Sequence, residues 1–306
     1  MASERDDCII IGAGPAGLTA AIYLARYHLK IRMFDCGSSR ASLIPKTRNH
    51  AGYPEGIHGE DLLALMRQQA AGFGAVRKPE KVTDLTAADD GFTVVTDTGT
   101  YAARSVLLAT GVVNHRPRGM ADDLHDAALA RGLIRYCPVC DGYEVTDRRV
   151  AVIGTGDHGT AEAQFLRSYT RDLTLVSPHG DHDLSRECSS ALDDAGIARV
   201  AGPCGNFAIE DDRLAFDTAD GRMAFDSVYP ALGSTVRSDL AVKAGAKVNE
   251  EGCILVGDHL ETSVPGLFAA GDVVIGLDQI SHAMGQAGVA ATTIRNHLAE
   301  QSPLRR

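Results

Sequence analysis

The first readable pattern along the chain is a short unbroken apolar run, Cys8-Ile9-Ile10-Ile11, with charged residues before it and Gly12 after it. An apolar run without polar alternation predicts a strand covered on both faces, as in a parallel sheet. Beyond Gly17 the apolar positions Leu18, Ala21, Ile22 and Ala25 recur at helical spacing, and a second strand, Ile31 to Phe34, ends at Asp35. Strand, glycine turn, helix and strand make a βαβ unit. The pattern returns later: Arg149 to Ile153 as strand, Gly154 to Gly159 as turn, Ala161 to Ser168 as helix and Leu173 to Val176 as the next strand. Two such units predict an α/β chain with two Rossmann-like dinucleotide-binding domains. Between the units, Phe92 to Thr96 reads as a hairpin strand, and the apolar run Ser105 to Leu108 leads into Ala109-Thr110-Gly111. Near the end Gly266 to Asp272 repeats the strand-to-glycine style, and a terminal helix is predicted over Ala283 to Ala299.

Composition narrows the class. At 306 residues the chain is long enough for about two domains. A formal net charge of −10 argues against nucleic acid or an anionic membrane as a general partner. No apolar stretch reaches the roughly 18 residues that would span a membrane, and the charged start is too short in apolar residues for a signal sequence, so a cytoplasmic protein is expected. The 7 cysteines are odd in number and irregularly spaced, which does not suit a structural disulfide framework.

Three motifs carry candidate chemistry. The first is Gly12-Ala13-Gly14-Pro15-Ala16-Gly17. Gly12 permits the tight turn, Gly14 lets the backbone approach a pyrophosphate, and Gly17 lets helix pack on strand. The helix start offers N–H groups to the phosphates, and Asp35 is placed to accept from a ribose hydroxyl. The second, Gly154-Thr155-Gly156-Asp157-His158-Gly159, meets the same glycine rule. Its strand, however, runs out at Val176 into Ser177-Pro178-His179-Gly180, with neither the acid of an NAD site nor the arginine of an NADP site. The third is Cys137-Pro138-Val139-Cys140 followed by Asp141 and Gly142. Such a pair can close a small disulfide ring; a helix start would favour the thiolate that attacks disulfides, and Asp141 is adjacent for proton transfer. Half of a zinc site is the rival reading, but Cys188 and Cys204 do not form a second close pair, and no metal is expected. Cys8 in a strand and Cys36 just after one are expected to be buried, unreactive thiols.

The order of these motifs resembles the low-molecular-weight thioredoxin reductase family of flavoproteins: GAGPAG at 12–17, ATG at 109–111, CPVCDG at 137–142, GTGDHG at 154–159 and AAGD at 269–272. The resemblance covers nearly the whole chain, and a C-x-x-C-D-G just before the second glycine turn is its most specific feature. It implies an FAD-dependent thiol–disulfide oxidoreductase with the second domain inserted in the first: 1–113 and 242–306 for FAD, 114–241 for the cysteine pair. It also implies that Gly12, Gly14, Pro15, Ala16, Gly17 and Asp35 hold the ADP half. Ala109, Thr110, Gly111, Gly271 and Asp272 would lie along the cofactor, with Asn49, Gln279 and Ile280 on the flavin side. Cys140 would be the sulfur nearer the flavin, Cys137 the one that exchanges with substrate, and Asp141 the acid/base. A homodimer and a thioredoxin-like protein or a small disulfide or dithiol as partner are implied as well. The absent basic run after Val176 departs from NADPH-using members. It leaves Gly154, Gly156, Asp157, His158 and Gly159 open to NADPH, a second flavin or no nucleotide. A dithiol oxidase, a diflavin enzyme and a non-catalytic flavin redox sensor therefore stay open as alternatives.

Overall fold

A computed structural model describes residues 5–304; the first four residues of the charged start and the last two of the chain lie outside the described residues. The opening apolar run is β1 (Asp6–Ile11), and Cys8, Ile9 and Ile10 are completely buried. The two isoleucine side chains each contribute roughly 1.5–3 kcal/mol by leaving water. The chain continues through α1 (Pro15–Arg26), β2 (Ile31–Phe34), α2 (Gly59–Gly72), β3 (Arg77–Lys78), β4 (Val82–Ala88), β5 (Gly91–Thr96), β6 (Thr100–Leu108) and β7 (Val112–Asn114). A second group follows: α3 (Asp122–Ala130), α4 (Pro138–Asp141), β8 (Val150–Ile153), α5 (Gly156–Leu166), β9 (Leu173–Val176), α6 (Arg186–Asp194), β10 (Ala198–Val200), β11 (Gly205–Glu210), β12 (Arg213–Thr218), β13 (Gly221–Phe225) and β14 (Ser227–Pro230). The chain ends with β15 (Ser234–Val236), α7 (Asp239–Lys243), β16 (Leu267–Ala269) and α8 (Ile280–Gln301).

These elements form the expected α/β architecture of two Rossmann-like folds, the second inserted in the first. One sheet has the order β3-β2-β1-β6-β5-β4, with β16 also paired to β6. Its parallel part holds β1 beside β2 and β6, so β1 and β6 both end at the same edge, beside Gly12 and Ala109. The small buried residues Ala20, Ala21, Ala287, Ala290 and Ala291 let α1 and α8 pack closely in the core on one face. The second parallel sheet has the order β10-β9-β8-β14, and every residue of β8, β9 and β14 is buried. A separate antiparallel sheet, β11-β12-β13, covers it with Phe207, Phe216 and Phe225; the sequence pattern had not predicted these three strands.

The chain leaves the first sheet through β7 and returns through β15, and these two strands pair with each other, Val112 opposite Val236. Thr110 Oγ1 donates to the Arg237 carbonyl at 2.6 Å just beside them. Two predicted helices are longer than expected: α5 starts at Gly156 in the glycine turn itself, and α8 begins at Ile280 and runs to Gln301. Among the described residues no helix is long and apolar enough to cross a membrane.

Candidate active site

The C-terminal edge of the first parallel sheet opens on a cavity of about 680 Å³. Gly12, Gly14, Pro15, Ala16, Asp35, Asn49, Ala109, Thr110, Gly111, Gly271, Asp272, Gln279 and Ile280 all line it, and so do Cys137, Cys140 and Asp141. Gly17 stands behind the lining, where a Cβ would fall 1.9 Å from the Gly12 carbonyl oxygen. Gly12 adopts a φ of +104°, and a Cβ there would meet the Ala109 carbonyl oxygen at 2.2 Å. This turn therefore requires glycine for both conformation and space. Helix α1 begins after Gly14 with no capping side chain and no acid in its first turn. Its unpaired N–H groups face the cavity as an anion-binding end. Asp35 accepts from the Ala13 N–H at 3.2 Å and from the Gly37 N–H at 3.0 Å, and pairs with Arg77 at 3.0 Å.

Cys137 and Cys140 form a disulfide with a Cα–Cα distance of 5.2 Å. Cys137 precedes α4, and its sulfur accepts from the Cys140 N–H at 3.1 Å. Gln279, from the segment before α8, reaches both sulfurs: its Nε2 lies 3.1 Å from Cys140 Sγ and 3.3 Å from Cys137 Sγ. Asn49 Nδ2 donates to Gln279 Oε1 at 2.9 Å. Arg48 and Glu144 add an ion pair at 3.6 Å across the same junction. The disulfide thus sits where the inserted fold meets the first one, facing the cavity.

Asp141 is held on one oxygen by Arg135 Nη1 at 2.9 Å and on the other by the Tyr229 hydroxyl at 2.8 Å. Burial nevertheless raises its pKa, against the lowering effect of Arg135 and of the Tyr229 hydrogen bond. Behind it on α5, burial first and the Asp141 charge second push the Glu162 carboxyl from 4.5 to about 7. Glu162 Oε1 has no hydrogen-bond partner, and Oε2 lies 3.9 Å from His158 Nε2. Asp272 is tied to Arg40 at 3.0 Å, and the same guanidinium reaches Asp278 at 2.7 Å. Burial and then the Asp278 charge raise the Asp272 pKa against that pairing.

The whole chain compares with known proteins in the same sense. The model of the pyridine nucleotide-disulphide oxidoreductase family matches residues 6–287. A thioredoxin reductase of Mycolicibacterium smegmatis is 33% identical over 96% of this chain and 97% of its own. Among solved structures, thioredoxin reductase from Streptococcus pyogenes superposes with a TM-score of 0.88 at 26% identity, covering 97% of this chain and 99% of its own. The protein HlmI superposes at 0.87 with 28% identity, over 97% of this chain and 93% of its own. The chain belongs to the pyridine nucleotide-disulphide oxidoreductases, among the thioredoxin reductase-like members. It is an FAD-dependent disulfide oxidoreductase. The open glycine turn, the uncapped α1 and the cavity that runs from them to the disulfide fit that cofactor.

In this oxidoreductase the second glycine turn differs from the first. Gly154 and Gly159 are accounted for by packing, since a Cβ on Gly159 would lie 2.8 Å from the Gly154 carbonyl carbon. Asp157 sits in the first turn of α5, and its carboxylate accepts from the Cys188 thiol at 3.1 Å. Thr155 Oγ1 accepts from the Asp183 N–H at 2.9 Å, bringing the 181–185 segment across the turn. His158 is 64% exposed. None of residues 154–159 lines the large cavity.

Cys36 departs from its expected burial. It is exposed and lines the cavity, because β2 ends at Phe34 and the chain leaves the sheet edge before reaching it. Cys8 is buried, and burial pushes its thiol up to about 12. Sequence reasoning missed Arg40, Asp278, Arg135, Tyr229 and Glu162. Only Glu162 carried a local signal, its i, i+4 spacing from His158 on one helix face.

Proposed function

We propose that Cys137 and Cys140 are the reactive pair through which this enzyme exchanges electrons between FAD and a disulfide or dithiol. The observation that carries the reading is the disulfide itself, facing the large cavity with Gln279 on both sulfurs. Gly12 to Gly17 and Asp35 would hold the ADP half of FAD. Ala109 to Gly111, Gly271 and Asp272 would lie along the cofactor, and Asn49, Gln279 and Ile280 would stand beside the flavin ring. When bound, FAD supplies a two-electron store next to the sulfurs. Asp141 would move the proton that thiol–disulfide exchange requires, and its burial suits that role by raising its pKa. Residues 1–113 with 242–306 would form the FAD domain and 114–241 the inserted one, a division supported by the pairing of β7 with β15.

The partner proposed is a thioredoxin-like protein or a small disulfide or dithiol, acting on a cytoplasmic homodimer. Replacing either cysteine by serine should lower thiol–disulfide turnover by about 10³-fold or more while FAD stays bound. Full turnover in those variants would refute the reading. Any multiple turnover in the native enzyme also excludes a purely sensory flavoprotein.

A second reading, an oxidase fed by a dithiol with no nucleotide at the second turn, is favoured by one observation. Asp157 places a carboxylate in the first turn of α5, where a nucleotide diphosphate would bring like charge. Anaerobic mixing distinguishes the versions. Bleaching of the yellow flavin by a dithiol but not by NADPH supports the oxidase; rapid bleaching by NADPH supports the reductase.

A further inference from the structure

A hydrogen-bond chain of fixed polarity ends on the two sulfurs. Thr47 is 6% exposed and its Oγ1 donates to Asn49 Oδ1 at 3.0 Å. Asn49 Nδ2 donates to Gln279 Oε1 at 2.9 Å, and Gln279 Nε2 donates to Cys140 Sγ at 3.1 Å and Cys137 Sγ at 3.3 Å. Reversing both amides would set the Gln279 carbonyl oxygen against the sulfur lone pairs, so the chain holds one order. The two sulfurs are not equivalent within it. Cys137 Sγ has its own backbone donor, the Cys140 N–H at 3.1 Å, whereas Gln279 is the donor given to Cys140 Sγ.

The charge state of the sulfur decides what this contact is worth. A disulfide sulfur is a weak acceptor and a thiolate a strong one. A donor fixed beside it therefore gains strength as the bond opens, which is the condition for lowering a barrier rather than only tightening the resting state. We infer that Gln279 is a catalytic hydrogen-bond donor to the Cys140 thiolate, and that Asn49 and Thr47 are positioning residues that hold its amide. The inference rests on the reading of Cys137 and Cys140 as the reactive pair. In the step concerned, a substrate dithiol is oxidised to its disulfide and the Cys137–Cys140 bond breaks. Cys137 retains one of the two substrate protons, the other is released, and Cys140 carries the thiolate facing Gln279.

The test is the pH dependence of iodoacetamide alkylation at Cys140 in the reduced holoenzyme, read by peptide mass spectrometry. Gln279→Leu should raise the midpoint by about one pH unit, a roughly ten-fold loss of thiolate at fixed pH. Asn49→Leu should raise it less, and should add nothing in the Gln279→Leu background, because Asn49 acts through Gln279. Should Gln279→Leu lose FAD, Asn49→Leu alone reads a smaller shift in the same direction. An unchanged midpoint in the FAD-loaded variants, or an Asn49 effect that persists undiminished without Gln279, overturns the inference. Failure of the underlying reading is separately visible, as undiminished dithiol turnover in Cys137→Ser and Cys140→Ser.

Discussion

The two glycine turns obey the same spacing rule and meet different surroundings. Neither helix has a capping side chain, but at the first turn α1 has no acid in its first turn and the turn opens on the large cavity. At the second, α5 carries Asp157 in its first turn, Thr155 is bonded to the 181–185 segment, and Asp157 is bonded to Cys188. A glycine motif thus records how closely helix and strand approach. Whether a phosphate is welcome there depends on the charge around it and on the space before it.

The largest expected effect falls on the first turn. Gly12→Ala sets a Cβ 2.2 Å from the Ala109 carbonyl oxygen at a φ of +104°. The purified protein should carry less than about a tenth of the wild-type FAD, measured by visible absorbance per chain. Retention of full FAD would break the contrast. Gly156→Ala is the comparison at the positive-φ glycine of the second turn, with φ +62° and its nearest neighbour, the Asp183 carbonyl oxygen, at 3.7 Å. It should keep FAD and cost only about 1–2 kcal/mol in denaturation experiments.

An effect of similar size, but dependent on pH, is expected at Glu162 in the helix that follows the second turn. Its folded pKa is raised from 4.5 to about 7, so the native state favours the protonated acid. Stability from this group is fully present below pH 4.5 and is lost as pH rises through about 7. Glu162→Gln removes that loss. It should stabilise the protein at pH 8 by up to about 3 kcal/mol and change little at pH 4.5, as read by denaturant titration at both values. Equal effects at the two values would show that the carboxyl is not held protonated.

The legible parts of this molecule are those written locally. The buried strands Cys8–Ile11 and Leu173–Val176, both glycine turns and the C-x-x-C pair each occupy one short stretch whose residue types have few other uses. The contacts that arm the site are not local. Gln279 meets Asn49 across 230 positions, Arg40 meets Asp272 across 232, and Tyr229 meets Asp141 across 88. No periodicity announces such pairs, because they exist only once each fold has closed and brought distant stretches of its chain together. The misreading of Cys36 has the same origin, since following a strand reveals burial only if the chain stays in the sheet.

The central claim is that the Cys137–Cys140 disulfide is the route between FAD and the thiol substrate. Anaerobic titration of the yellow enzyme with a dithiol tests it most directly, followed by flavin absorbance in the native protein and in Cys140→Ser. The account predicts bleaching in the native protein and a rate lower by about 10³-fold or more in the variant. Bleaching of Cys140→Ser at the native rate, with its FAD content intact, would contradict it.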